Sequence, residues 1–242
     1  MMDFLRHLIT WMNFYGPVTP LIKETLVKTN GNRLLELCAG GGGGVMKLKK
    51  NLHAVGCEPE IVLSDLYPNA DTYQQIKTES GGTIDFISYS VNALDVPAQL
   101  QGMRLLFSSF HHFRPEQAKA ILADAVKKNV AIGIFDAGTK SFFSILGVII
   151  LQPVVFFLAT PFFKPFRWSR LFFTYVVPLI PICTVWDGCV SILRFYTVPQ
   201  LQEFTSTLQQ KGYQWKTGQL KNSMGIKVNY VIGYPQNHLP LS

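Results

Sequence analysis

Five consecutive glycines occupy positions 40–44, directly behind the short apolar run LLELCA at positions 34–39. Glycine loses more backbone freedom on folding than any other residue. A run of five is therefore kept where the chain turns through conformations closed to other residues, or where something comes close to the backbone. Behind a first strand such a turn predicts a ligand, and the flanking residues discriminate among ligands. A triphosphate cradle needs G-x-x-x-x-G-K-[ST], and no Lys-Ser or Lys-Thr pair follows these glycines. A dinucleotide turn needs glycines at n, n+2 and n+5. Starting from Gly40 the third position is Val45, and starting from Ala39 the first is not glycine. The acid at Glu36 suits a ligand that carries an ammonium group rather than a phosphate.

The rest of the chain supplies a frame for that turn. Residues 33–38 read as a buried strand, 43–52 as a helix with lysines on one side, and 60–69, 83–97, 103–109 and 130–137 as further strands. Residues 114–129 form a helix, with Pro115 near its start, Glu116 in its first turn and lysines in its last. A second helix over 197–212 has Thr197 as cap, Pro199 in its first turn and Gly212 as stop. The segments YQWKTGQL and KVNYVIGYP then read as a closing antiparallel pair. Alternating strands and helices predict an α/β fold with a mostly parallel sheet and right-handed crossovers. Ligands bind such sheets at the carboxyl ends of the strands. The glycines and polar residues fall there: 36–44, Asp65, Asn92, 109–112 and Asp136.

In that order the residues resemble a known family. Glu36-Leu37-Cys38-Ala39-Gly40-Gly41-Gly42 is similar to the first motif, [D/E]-L-G-C-G-x-G, of class I S-adenosylmethionine (SAM) methyltransferases. Cys38 stands where the first glycine would be, a departure shared by some quinone-type members. VNALDVP resembles the family's GDAxxLP segment, FSSFHHFRP the NALHHF segment of ubiquinone and menaquinone methyltransferases, and KNSMGIKVNYVIGYP their closing strands. The resemblance runs from about 33 to 235 and is loose through 139–194. It implies a Rossmann-like sheet with an antiparallel last strand, and SAM as cofactor. It also implies a site in which Glu36 meets the cofactor's ammonium and Cys38, Ala39, Gly40, Gly41 and Gly42 let the backbone approach it. Asp65, with Leu66, would take the ribose hydroxyls, Asn92, with Ala93, the adenine, and Ser109 and Phe110 would frame the methyl group.

His111 and His112 follow the fourth strand. Either could serve as a general base toward a hydroxyl, its ordinary pKa lying near working pH. The plainer alternative is that one packs and the other caps the helix that follows. Methyl transfer also proceeds by proximity and alignment alone.

The stretch 141–186 is of another kind. It holds three charged residues, Lys164, Arg167 and Arg170, and no acid. SFFSILGVIILQPVVFFLATPFF clears the roughly 20 residues of a membrane span, although Pro153 interrupts it. A second run, LFFTYVVPLIPICTVW, carries Pro178 and Pro181. Exposing about ten large apolar side chains would cost roughly 15–30 kcal/mol, so core, lipid or another subunit must cover them. Basic residues beside Trp168 suit an anionic membrane surface. The expectation is a helical insert that dips into one leaflet and admits a small lipophilic acceptor; the alternative is a soluble helical cap over an apolar pocket. Behind it, Asp187 and Arg194 either pair with each other or orient a polar substrate head, with Phe113, Tyr175, Trp186 and Tyr196 nearby.

A net charge of +7 favours an anionic partner. Nucleic acid fits less well than lipid, because SSFHHF stands where nucleic-acid methyltransferases carry N-P-P-Y or D-P-P-Y. The four cysteines, Cys38, Cys57, Cys183 and Cys189, show neither C-x-x-C nor metal-ligand spacing and read as reduced thiols. The amino terminus lacks a cleavage site and reads as an amphipathic helix. The expected location is thus cytoplasmic, peripherally or monotopically on a membrane. The expected organisation is an N-terminal helical segment (1–30), a SAM-binding core (31–140), an apolar insert (141–196) and a closing helix and strands (197–242). A membrane-attached SAM-binding protein without transfer activity is the competing reading.

Overall fold

The computed structural model describes residues 13–162 and 166–236. Seven strands form one sheet in the order β3-β2-β1-β4-β5-β7-β6. Strands β1 (Arg33–Glu36), β2 (Glu60–Leu63), β3 (Ile84–Phe86), β4 (Met103–Phe107) and β5 (Ile132–Ala137) run parallel. The closing pair, β6 (Tyr213–Lys221) and β7 (Lys227–Pro235), joins antiparallel through β7 against β5. Strand β1 pairs with β2 on one side and β4 on the other, so the chain winds both ways from it. That switch point opens a crevice at the carboxyl ends of β1 and β4, and the glycine turn leaves from there.

Helices cover both faces. Ahead of the sheet, α1 (Thr19–Lys28) buries Ile22 and Leu26, and after the glycines α2 (Val45–Ala54) buries Val45, Leu48 and Leu52, a helical spacing. The next helix, α3 (Ala70–Glu79), was not anticipated by the sequence reading. Its composition is polar, with only Tyr73 and Ile76 buried, and Asn69 starts it by accepting a hydrogen bond from the Thr72 N–H (3.2 Å). Helix α4 (Pro115–Lys127) packs Ala118, Ile121, Leu122 and Ala125 into the core.

The third strand is far shorter than the expected 83–97. It lies at the sheet edge with β2 as its one neighbour, and beyond Phe86 the chain leaves the ladder. Within the sheet Arg104 is 1% exposed, and its Nη1 lies 2.7 Å from Asp124 Oδ2 on α4. Lys128 reaches the other oxygen of Asp124 at 2.6 Å.

The apolar stretch forms a helical hairpin after β5. Helix α5 (Phe142–Ala159) runs on through Pro153 and ends in a tight turn. After Trp168–Val176 the chain bends by 75° into α6 (Leu179–Arg194). The two long helices pack antiparallel at Gly188, where a Cβ would lie 2.9 Å from Val148, and Gln152 donates to the Thr184 carbonyl (3.1 Å). Little else covers α5. Of the apolar segment Phe142–Phe162 only Phe156 and Thr160 are buried, and Phe143 is 80% exposed. Among the described residues this is the one helix long and apolar enough to cross a membrane; Trp168–Val176 with α6 would make a bent second. Helix α7 (Val198–Ser206) starts at Thr197 in a capping box with Gln200 and ends six residues before Gly212. The expected amphipathic helix at the amino terminus falls mostly on residues 1–12, outside the described residues.

Candidate functional site

The glycine turn is held from two sides. Gly40 N–H donates to Asp65 Oδ2 (2.8 Å), and Ala39 N–H to the Ser64 carbonyl (3.0 Å), tying the loop after β1 to the end of β2. At Gly42 φ is +66°, and a Cβ would stand 2.3 Å from Ile76 Cδ1 on α3. Only glycine meets both conditions. Cys38 and Ser108, the residues two beyond β1 and one beyond β4, are also left-handed, with φ of +54° and +46°. Such strain in non-glycine residues collects at functional sites.

Glu36 ends β1 and is 5% exposed, and its Oε2 has no hydrogen-bond partner. Burial raises its carboxyl to about 8. A buried carboxylate without a counter-charge is costly. Beside a backbone cradle without side chains, it fits the ammonium at the amino-acid end of SAM. Burial, with the nearby Asp65 and Glu36 carboxylates, pushes the Cys38 thiol up to about 12, so it is an unreactive thiol.

The other expected cofactor residues converge on the same edge. Asp65 Oδ1 accepts from the Tyr67 N–H (2.9 Å), so both of its oxygens already serve the backbone, with lone pairs remaining on each. Val91 N–H donates to the Asp65 carbonyl and Ser90 to that of Leu66, drawing the 90–93 loop to β2. Within it Ala93 is buried, and exposed Asn92 accepts from the Leu94 N–H (3.0 Å). Ser109 and Phe110 are both buried.

The two histidines divide the expected roles. His111 is buried between His112 and Phe195, its Nδ1 3.3 Å from Asp136 Oδ1, and its backbone N–H donates to Asp136 Oδ2 (3.1 Å). Helix α4 is not capped by either ring; the Gln117 side chain accepts the Arg114 N–H instead. His112 is exposed on one side. Desolvation of its ring, then His111, holds its pKa below the ordinary value, with Asp187 and Asp136 acting in the opposite sense. It is therefore a neutral imidazole at physiological pH, able to accept a proton.

Helix α6 packs against the 110–112 turn and carries Asp187 and Arg194 within electrostatic reach of His112. No ion pair joins these two among the described residues. Phe113 is half-buried, and its carbonyl accepts from the Tyr196 hydroxyl (2.7 Å). Tyr175 and Trp186 sit farther out in the insert: the Tyr175 hydroxyl donates to the Phe157 carbonyl, and Trp186 is 73% exposed. Two site residues lay beyond sequence reasoning. Asp136 was visible only as a polar strand end, and Tyr15, buried in the segment ahead of α1, carried no signal.

No protein-family model matches the chain, and no curated protein does. Solved structures do resemble it. One is the SAM-dependent methyltransferase SibL in its apo form (TM-score 0.53, 12% identity, 90% of this chain and 55% of that one). Another is an O-methyltransferase family protein from Burkholderia thailandensis (0.52, 14%, 98% and 60%). A third is described as a pericyclic reaction enzyme (0.51, 18%, 88% and 46%). The chain has the Rossmann-like fold of class I methyltransferases, with a helical insert after β5. It spans about half the length of these proteins, from 46% to 60%.

Proposed function

We propose that the chain binds SAM along the carboxyl ends of β1 to β4 and transfers its methyl group to a small lipophilic acceptor at a membrane surface. The acceptor class is a quinone-like phenol, a lipid or a hydrophobic metabolite. The observation that carries the cofactor is the buried, unpartnered Glu36 carboxyl beside a turn where a Cβ at Gly42 would meet Ile76 at 2.3 Å. SAM, when bound, supplies an electrophilic methyl group on a sulfonium. Glu36 pairs with the ammonium, Asp65 offers its remaining acceptor capacity to the ribose, and Asn92 reads the adenine. Ser109 and Phe110 exclude water around the methyl. His112 takes the proton of an acceptor hydroxyl, while Asp187 and Arg194 orient the acceptor head. Alignment supplies the larger part of the rate.

The exposed hairpin supports the membrane. Its apolar arc faces away from the core, it carries no acid from 141 to 186, and Arg167, Trp168 and Arg170 sit near its far end. Apolar surface with interfacial aromatic and basic residues suits a leaflet with anionic headgroups. The hairpin's return to His112 supports entry of the acceptor from lipid.

A second reading is a membrane-attached protein that binds SAM at the same edge without transferring its methyl group. Calorimetric titration of SAM, followed by labelled methyl transfer to a lipid extract, separates the two. Transfer is the expected result, and binding without transfer favours the second. Transfer to DNA or RNA but not to lipid would replace the acceptor class. Recovery wholly in the soluble fraction after vesicle flotation would remove the membrane from the proposal.

A further inference from the structure

Tyr15 lies in the segment 13–18 ahead of α1 and belongs to none of the motifs. It is 7% exposed, its ring centroid is 4.6 Å from that of Phe107, and its hydroxyl is hydrogen-bonded to Ser108. Phe107 ends β4 and Ser108 is the left-handed residue after it. The segment is pinned at a second point, where Asn51 Nδ2 donates to Asn13 Oδ1 (2.8 Å). Its turn is close: a Cβ on Gly16 would stand 2.5 Å from Asn13 Nδ2. The amino-terminal segment thus crosses the crevice at the end of β4.

The surroundings of Tyr15 are those of a cation site. Asp136 and Glu36 both lie near enough to oppose ionisation of its hydroxyl, and burial opposes it more strongly still, so the phenol stays neutral. Glu36 Oε2 is buried without a hydrogen-bond partner, and Asp136 Oδ1 is buried with only the His111 ring nitrogen beside it, at 3.3 Å. Asp136, and Glu36 once a bound cation displaces its proton, supply negative charge, and a neutral aromatic face supplies a quadrupole that attracts cations.

We infer that Tyr15 contacts the cofactor: the segment 13–18 is a flap over the cationic end of SAM, and the Tyr15–Ser108 hydrogen bond latches it. The inference rests on the SAM-binding reading above. It makes Tyr15 sensitive to the sulfonium charge, which S-adenosylhomocysteine lacks.

The test is calorimetry and stopped-flow binding of SAM and S-adenosylhomocysteine to the full chain, with melting curves to verify folding. Tyr15→Leu keeps an apolar side chain and removes the aromatic face. It is expected to weaken SAM about tenfold and S-adenosylhomocysteine less than about threefold. Tyr15→Phe and Ser108→Ala keep the ring and break the latch. Both are expected to preserve the ratio of the two affinities while speeding release of both ligands. Equal loss of both ligands in Tyr15→Leu, or no loss, overturns the cation contact. Unchanged release rates in the latch variants overturn the flap, and these variants remain informative if Tyr15→Leu does not fold. Wild-type protein that binds neither ligand would instead overturn the cofactor site itself.

Discussion

On the proposed SAM-binding reading, Glu36 couples cofactor binding to a proton. Its carboxyl sits at about 8 because burial disfavours the charged form. At pH 7 roughly ten sites in eleven therefore hold the proton. A ligand ammonium pairs with the carboxylate, so binding must release that proton. SAM affinity is expected to rise up to about tenfold from pH 6 to pH 7 and to fall again above about pH 8, where the ligand's own α-ammonium (ordinary pKa about 7.7–8.0) loses its proton, with most of one proton released per SAM at pH 7. Without ligand the pH dependence has the opposite sign. The ordinary value for this carboxyl is 4.5, so the folded state binds the extra proton between about 4.5 and 8. Stability accordingly falls as pH rises through that window, by up to about 5 kcal/mol at its upper end. Glu36→Gln removes the ionisable group and keeps the shape. The ligand-free variant should be more stable than wild type at pH 9, with melting nearly independent of pH from 6 to 9 at this site. Its SAM affinity should be nearly flat from pH 6 to pH 7 and about 5- to 80-fold weaker at pH 8, where about half of the wild-type carboxyls are charged, from the loss of one charge-assisted hydrogen bond of about 1.5–3 kcal/mol. Calorimetry from pH 6 to 9.5, in two buffers of different ionisation heat, measures affinity and proton release together. Affinity independent of pH between 6 and 7 in the wild type, or a Gln variant equal to it at pH 8, would refute the role of this carboxylate.

Four further variants probe other parts of the molecule. Gly42→Ala places a Cβ against Ile76 at a φ of +66°, and should cost roughly 1–3 kcal/mol in urea unfolding and weaken SAM binding. Asp124→Ala leaves the Arg104 guanidinium buried and uncompensated on one side, and should lower stability by roughly 3–5 kcal/mol with no change in the residues that hold SAM. Arg167→Gln with Arg170→Gln removes two basic residues from the hairpin, and should weaken binding to anionic vesicles about thirtyfold, at about 1 kcal/mol each, while leaving zwitterionic vesicles little affected. His112→Gln should slow transfer about 10²- to 10⁴-fold with SAM affinity unchanged. Because desolvation and His111 hold His112 below its ordinary pKa, the acid limb of the wild-type rate profile should fall below pH 6.5.

Much of the frame is legible in the sequence, because it rests on local physics. The glycines after β1, the buried strands, the Pro115 and Thr197 helix starts and the closing hairpin each depend on residues a few positions apart. The apolar insert announced itself by composition, and it is two helices. Helix α3 was missed because a helix lying against the sheet through Tyr73 and Ile76 alone leaves too thin an apolar stripe. The third strand was drawn too long because β-forming residues from 83 to 97 looked continuous, while pairing at a sheet edge stops where the one neighbour turns away.

The candidate site divides along the same line. Sequence alone determined which residues stand at the carboxyl ends of the strands, and the requirement for glycine where the backbone turns left-handed. Only the tertiary structure decided their chemistry. Glu36 is an ordinary glutamate until the sheet buries it without a counter-charge. His111 meets Asp136 across 25 residues, and Tyr15 meets Ser108 across 93. Backbone preference is a property of neighbours along the chain, whereas charge state and hydrogen-bond partnership are set by what the fold brings into contact and what it shuts away from water.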